Sequence, residues 1–116
     1  KTELSKSVIA FCHGSKEEEH IRRATEIYSR MKLKANHTRQ LGAAALELSY
    51  VACGRISAFY MSNMNSYDVA AGSLLVKEAG GTVTDFEGVP FSIKSQDILA
   101  SNGKMHEDVL MVISRK

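Results

Sequence analysis

The sequence predicts an α/β layered sandwich, and two observations carry that expectation. Short runs rich in β-branched and aromatic residues alternate with helical segments of ten or more residues, the pattern of strands joined by crossover helices. Glycines punctuate that alternation where elements stop, at Gly14, Gly54, Gly80 and Gly81. At 116 residues the chain suits one domain with a single core.

The elements follow in chain order. Ser7–Cys12, SVIAFC, is an apolar run that ends at Gly14 and reads as a buried strand. Ser15 followed by Glu18 has the spacing of a capping box. A helix is expected over Ser15–Leu33, with Ile21, Ala24, Ile27 or Tyr28, and Met31 on its apolar face. KANHTRQ is polar and leaves room for one short strand. Gly42–Cys53, GAAALELSYVAC, is rich in helix formers and stops at Gly54, a C-terminal glycine. Ile56–Met61 is a strand, and Ser66 is placed to cap a helix over Ser66–Ala79. Thr82–Phe86 is a strand leading to a turn at Glu87 and Gly88, with Pro90 in the loop beyond. Ile98–Ser101 is the last strand and Lys104–Ser114 the last helix.

Composition narrows the function classes. Charged residues are 24% of the chain and the net charge is +2 with basic residues scattered, which gives little support for a nucleic-acid partner. No apolar run approaches the ~20 residues of a membrane helix. Cys12 and Cys53 are isolated, without CxxC spacing, so a reduced, cytoplasmic protein is expected. The first residues, KTELSKSV, lack a signal-peptide pattern and begin without Met, so a piece of a longer chain is expected.

The segment NSYDVAAGSLLVKEAGG holds a single acid, Asp68, at the mouth of an otherwise apolar helix. In a first turn, free N–H groups and the helix dipole favour an ionised carboxylate. Such a carboxylate suits a hard cation like Mg²⁺, and it equally serves as a plain dipole partner worth ~0.3–1 kcal/mol. One carboxylate alone makes no metal site.

Three stretches carry a resemblance. They are Tyr67-Asp68-Val69-Ala70-Ala71-Gly72 with Leu74-Leu75-Val76 and Glu78-Ala79-Gly80-Gly81; Arg39-Gln40-Leu41-Gly42-Ala43-Ala44-Ala45 with Tyr50-Val51-Ala52 and Gly54; and Thr82–Gly88 with Ile98–Asn102. Together they resemble the C-terminal half of the inositol monophosphatase family, with Tyr67 where the family usually has Trp. Added to the alternation, the resemblance predicts a three-layer α/β/α sandwich with one mostly parallel sheet of about five strands. It implies that residues 1–116 are the C-terminal domain of a Mg²⁺-dependent phosphatase acting on a small phosphate monoester such as an inositol, polyol or sugar phosphate. By the same resemblance Asp68 is a metal ligand close to a substrate hydroxyl, and Gly42, Ala43 and Ala44 form the backbone that contacts sugar or cyclitol hydroxyls. The helix start at Gly42–Ala44 is chemically apt, because unpaired N–H groups are donors and small residues admit a ligand to the backbone. The implied partners are the substrate, the N-terminal half of the same enzyme and a second copy in a homodimer.

Two departures from the family pattern matter. Nothing here resembles its Glu-Glu pair or its Asp-Pro-x-Asp-Gly-Thr run, so the N-terminal catalytic half is expected outside this chain and the chain alone is expected to be inactive. Met61 stands near the place where some members carry a substrate-contacting Glu, and a thioether is a poor acceptor; the substrate range therefore stays open to sugar bisphosphates, nucleotide phosphates and other polyol phosphates.

The remaining polar residues read more simply. Glu17-Glu18-Glu19 is a solvated first turn, and His13, His20, His37 and His106 lack metal spacing and are structural or solvent-facing. Cys53 reads as packing rather than nucleophile. Arg39 suits a second phosphate or a sheet edge equally, and Lys32 with Lys34 forms a solvated basic patch. Two other function classes stand beside the phosphatase: a non-catalytic regulatory or interaction module touching RNA or a transcription complex, and an α/β ligand-binding domain that shares only the scaffold.

Overall fold

The computed structural model describes residues 4–64, 67–103 and 105–114, with Tyr67 and Asp68 described by their backbone alone. A 3-10 turn at Leu4–Lys6 precedes β1 (Val8–His13), α1 (Glu18–Lys34), β2 (His37–Arg39), α2 (Ala44–Ala52), β3 (Ala58–Ser62), α3 (Tyr67–Glu78), β4 (Thr82–Thr84), β5 (Ile98–Ser101) and α4 (His106–Ser114). The strands form one sheet in the order β2-β1-β3-β5-β4. β1 is parallel to both β2 and β3, while β5 is antiparallel to β3 and to β4. Four strands therefore point one way and β5 alone runs against them, the mostly parallel sheet expected.

Strand alternation builds the three layers. Ile9, Ala58, Tyr60 and Leu99 point to one face, where Ile27 and Met31 of α1 and Met105, Val109 and Ile113 of the α4 region cover them. Ala10, Phe59, Met61, Ile98 and Ala100 point to the other, against Leu48 and Val51 of α2 and Val69 and Val76 of α3. β3 is central and every one of its residues is buried. Ile21, expected on the apolar face of α1, stays 39% exposed in the first turn of the helix.

Several boundaries differ from expectation for local reasons. α1 begins at Glu18, and the Ser15–Glu18 capping box does not form. Ser15 Oγ instead accepts the Glu17 N–H at 3.1 Å, and Glu18 pairs with Arg22 one turn on. α2 begins at Ala44 rather than Gly42, because Gly42 has φ +77 and Ala43 is extended; neither conformation continues a right-handed helix. β3 lies two residues later than Ile56 and runs through Ser62, so Met61 is inside the strand and 5% exposed. β4 ends at Thr84 because Asp85 Oδ1 accepts the N–H groups of Glu87 and Val89 and closes a turn. The helix stops fall where the glycines placed them. Gly54 and Gly80 have φ +84 and +88, and the N–H groups of Gly54, Arg55, Gly80 and Gly81 return to Val51, Tyr50, Lys77 and Val76 in paired Schellman bonds. The expected cap at Ser66 and the expected α4 start at Lys104 lie outside the described residues.

Candidate functional site

Two helix starts meet at one edge of the sheet. α2 and α3 each follow a strand of the same direction, β2 and β3, and both pack on the same face. They are therefore parallel to one another, with their N-termini at the C-terminal edge of those strands, where open α/β sheets bind ligands. Their contact sets the register. A Cβ on Gly72 would lie 2.5 Å from Leu48 Cδ1, so the two helices approach as closely as a glycine permits. Leu48 is four residues beyond Ala44 and Gly72 four beyond Asp68. The backbone of Gly42–Ala44 and the first turn of α3 that carries Asp68 thus lie side by side.

The α2 start is left open. Its N-cap, Ala43, makes no side-chain cap, and Gly42 and Ala43 are exposed, so the first N–H groups of the helix have no intrahelical acceptor. The loop ahead of it is tied by a residue that sequence reasoning did not single out. Glu47 is 0% exposed, and its Oε2 accepts the Leu41 N–H at 3.1 Å. Its Oε1 has no partner among the described residues. Burial pushes the Glu47 carboxyl above its ordinary pKa. Cys12 nearby is also raised, by its own burial and then by Glu47. The one available signal was an acid in the middle of an otherwise apolar helix.

The approach to α3 is held from the opposite side. Asn63, just after β3, has φ +51 and donates its N–H to Asp97 Oδ1 at 2.8 Å. Arg23 of α1 grips both Asp97 oxygens, at 3.0 and 2.9 Å. That hydrogen-bonded pairing holds the guanidinium pKa above its ordinary value. Beside this turn lies an open cleft of about 600 Å³ lined by Ser15, Lys16, His20, Asn63, Met64 and Gln96 among others. Arg23 and Asp97 also escaped sequence reasoning, being 74 positions apart with no local pattern to link them.

The other candidates stay apart from this edge or serve the fold. Arg39 is exposed on the edge strand β2, with Nη1 3.4 Å from the Thr38 carbonyl. Lys32, Lys34 and the three acids Glu17–Glu19 are exposed. Cys53, expected to pack, is exposed at the α2 terminus because the Schellman turn carries it outward. His106 is structural and buried, with Nε2 2.8 Å from Thr84 Oγ1 and Nδ1 2.8 Å from Ser101 Oγ. Among the described residues no group of three or more His, Cys, Asp or Glu side chains could hold a metal ion. No helix among the described residues is long and apolar enough to cross a membrane.

The sequence pattern of the inositol monophosphatase family matches residues 1–116. The chain belongs to the inositol monophosphatase family. Within it, a Thermotoga maritima protein named fructose-1,6-bisphosphatase/inositol-1-monophosphatase is 42% identical over 85 residues, 73% of this chain and 33% of that protein. A Neisseria meningitidis protein named putative Nus factor SuhB is 46% identical over 76 residues, 66% of this chain and 29% of that protein. The inositol monophosphatase structure from Anabaena superposes with a TM-score of 0.91 at 31% identity, over 99% of this chain and 46% of that one. The extragenic suppressor protein suhB structure from Bartonella henselae gives 0.88 at 31% identity, over 99% of this chain and 44% of that one. The chain thus spans less than half the length of these family members.

Proposed function

We propose that this chain is the C-terminal domain of a Mg²⁺-dependent phosphatase that hydrolyses a small phosphorylated polyol or sugar. The juxtaposition of the α2 and α3 starts is the observation that supports this reading most. The uncapped helix start at Gly42–Ala44, exposed at Gly42 and Ala43, suits the neutral hydroxyls of a cyclitol or sugar. Asp68, on the neighbouring first turn, supplies one carboxylate ligand and an acceptor for a substrate hydroxyl. The other metal ligands come from an N-terminal half that is not in this chain. When bound, Mg²⁺ in such a site activates water and stabilises the leaving oxygen. Met61 packs in the core, and the proposed substrate range stays open to inositol, sugar and nucleotide phosphates. The intact enzyme is proposed to be a cytoplasmic homodimer. Phosphate release from a panel of inositol, sugar and nucleotide phosphates, with Mg²⁺ titrated, tests the reading; no turnover of any of them would overturn it.

A second reading has its own support. Relatives at 45–46% identity are named Nus factors, which favours an interaction module on the same fold as the alternative. An intact protein that lacks turnover yet retains a partner in transcription would decide for it.

A further inference from the structure

We propose that Arg23 and Asp97 form a clasp that positions the start of α3, making Arg23 a positioning residue for the candidate site. The inference rests on the reading of Asp68 given above.

Asn63, just after β3, sits at φ +51, a left-handed conformation that asparagine adopts more readily than other side-chain-bearing residues and that its surroundings fix. Two hydrogen bonds and one close approach hold the chain there. The Asn63 N–H donates to Asp97 Oδ1 at 2.8 Å, and the Met64 N–H donates to the Gln96 carbonyl at 2.8 Å. On the third side Gly14 leaves space for the Asn63 carbonyl, which a Cβ at position 14 would strike. These bonds tie the chain that leaves β3 to the segment just ahead of β5. Asp68 follows four residues after Met64.

The carboxylate that holds this turn is itself held. Asp97 is 7% exposed, and a charge so buried requires a partner. Arg23 meets it with two parallel bonds, the geometry only a guanidinium provides. The same Nη1 lies 3.4 Å from Asn63 Oδ1, and the guanidinium sits 5.4 Å above the centre of the Phe86 ring. A side chain from α1, on the face of the sheet opposite α3, therefore fixes the turn that aims α3.

The same helix carries an internal control. Arg30 donates to the carbonyls of Val112 and Ile113 at 3.0 and 2.7 Å, capping the end of α4. It touches neither the β3–α3 turn nor the α2 start among the described contacts. Losing Arg30 weakens the fold without bearing on α3; losing Arg23 disturbs α3 from its first turn.

Amide hydrogen exchange on the 116-residue chain separates the two. Arg23→Ala is expected to cut protection of the first hydrogen-bonded amides of α3, Ala71 and Gly72, at least tenfold relative to its last turn, while Arg30→Ala leaves that ratio unchanged. If both variants lower the ratio equally, or neither moves it, the clasp is overturned. Should Arg23→Ala fail to fold, Asp97→Asn is read in the same way; it keeps an oxygen for Asn63 while giving up the charge that holds Arg23. In the intact enzyme Arg23→Ala should lower kcat about tenfold and Arg30→Ala less than twofold, with Asp68→Asn run alongside. Full turnover by Asp68→Asn would refute the reading of the site and leave the exchange ratio to decide the clasp. A dead Asp68→Asn beside an unaffected Arg23→Ala would refute the clasp's functional role alone.

Discussion

Leu48 of α2 and Gly72 of α3 touch so closely that a Cβ on Gly72 would fall 2.5 Å from Leu48 Cδ1 and 2.7 Å from Leu48 Cβ. The short Cβ distance matters more than the other, since Leu48 Cβ cannot swing away as a terminal methyl can. Gly72→Ala gains ~1 kcal/mol of helix propensity and meets an overpacking cost of ~1–3 kcal/mol. A net loss of up to ~2 kcal/mol is expected, a fall in Tm of up to roughly 8 °C for a domain of this size. Adding Leu48→Gly, which removes Cβ together with Cδ1, should cost less in the Gly72→Ala background than in wild type, because one change makes room for the other. Additive losses would mean the helices do not meet there.

The isolated chain should not turn over substrate. Mg²⁺ wants six oxygen ligands in near-octahedral geometry, and no cluster of potential metal ligands forms among the described residues. Phosphate release from any monoester should stay at background at every Mg²⁺ concentration, and adding the N-terminal half, linked or in trans, should restore it. Robust Mg²⁺-dependent hydrolysis by the 116-residue chain would show that the site has been misplaced.

His106 makes stability depend on pH. Thr84 Oγ1 donates to the Asp85 carbonyl, so it accepts from Nε2–H, and Ser101 Oγ, which takes the Gly103 N–H, donates to Nδ1. The network thus holds a neutral ring. Burial lowers the His106 pKa below its ordinary 6.5, with Glu107 opposing the shift. The unfolded chain therefore binds the proton first, and the stabilisation is whole above about pH 6.5 and lost as pH falls from there through the folded value. In urea unfolding at pH 7.5 and 5.5, wild type should lose more stability over that interval than His106→Gln. Equal slopes would exclude the buried ring as the source.

Glu47 gives the opposite sign. Its raised pKa favours the neutral acid in the fold, so its contribution is full below the ordinary carboxyl value and is lost as pH rises through the folded one. Glu47→Gln keeps the acceptor for Leu41 and removes that titration; it should be at least as stable as wild type at pH 7. Glu47→Ala leaves a cavity and an unpaired N–H and should cost ~1–3 kcal/mol. Chemical denaturation of the pair at pH 7 checks this, and a Gln variant as weak as the Ala variant would contradict it.

What was legible in the sequence was local. The run Ile56–Met61 reads as a strand, which the structure buries on both faces, and Gly54 and Gly80 mark helix ends because their left-handed φ values suit no other residue so well. Gly42–Ala44 and Asp68 were singled out by the family resemblance, while α2 starts two residues later than expected, at Ala44. What was hidden depends on distant partners. A four-residue apolar run such as Ile98–Ser101 carries no information about direction, so the antiparallel setting of β5 could not be read. Ser15 has the form of a cap, yet Glu18 finds Arg22 one turn away. Arg23 and Asp97 look like ordinary surface charges until the fold brings them together.

The central claim is that Asp68 serves the reaction rather than the helix dipole, and one variant of the intact enzyme tests it. Asp68→Asn keeps size and position and removes the charge. A ligand lost from the site should lower kcat about a hundredfold or more, roughly 2.7 kcal/mol at 1.36 kcal/mol per tenfold. The unfolding midpoint, measured on the same preparation, should report a stability loss of ~1 kcal/mol at most, the size of a dipole interaction. Wild-type turnover with a lowered midpoint would contradict the account and remove Asp68 from the site.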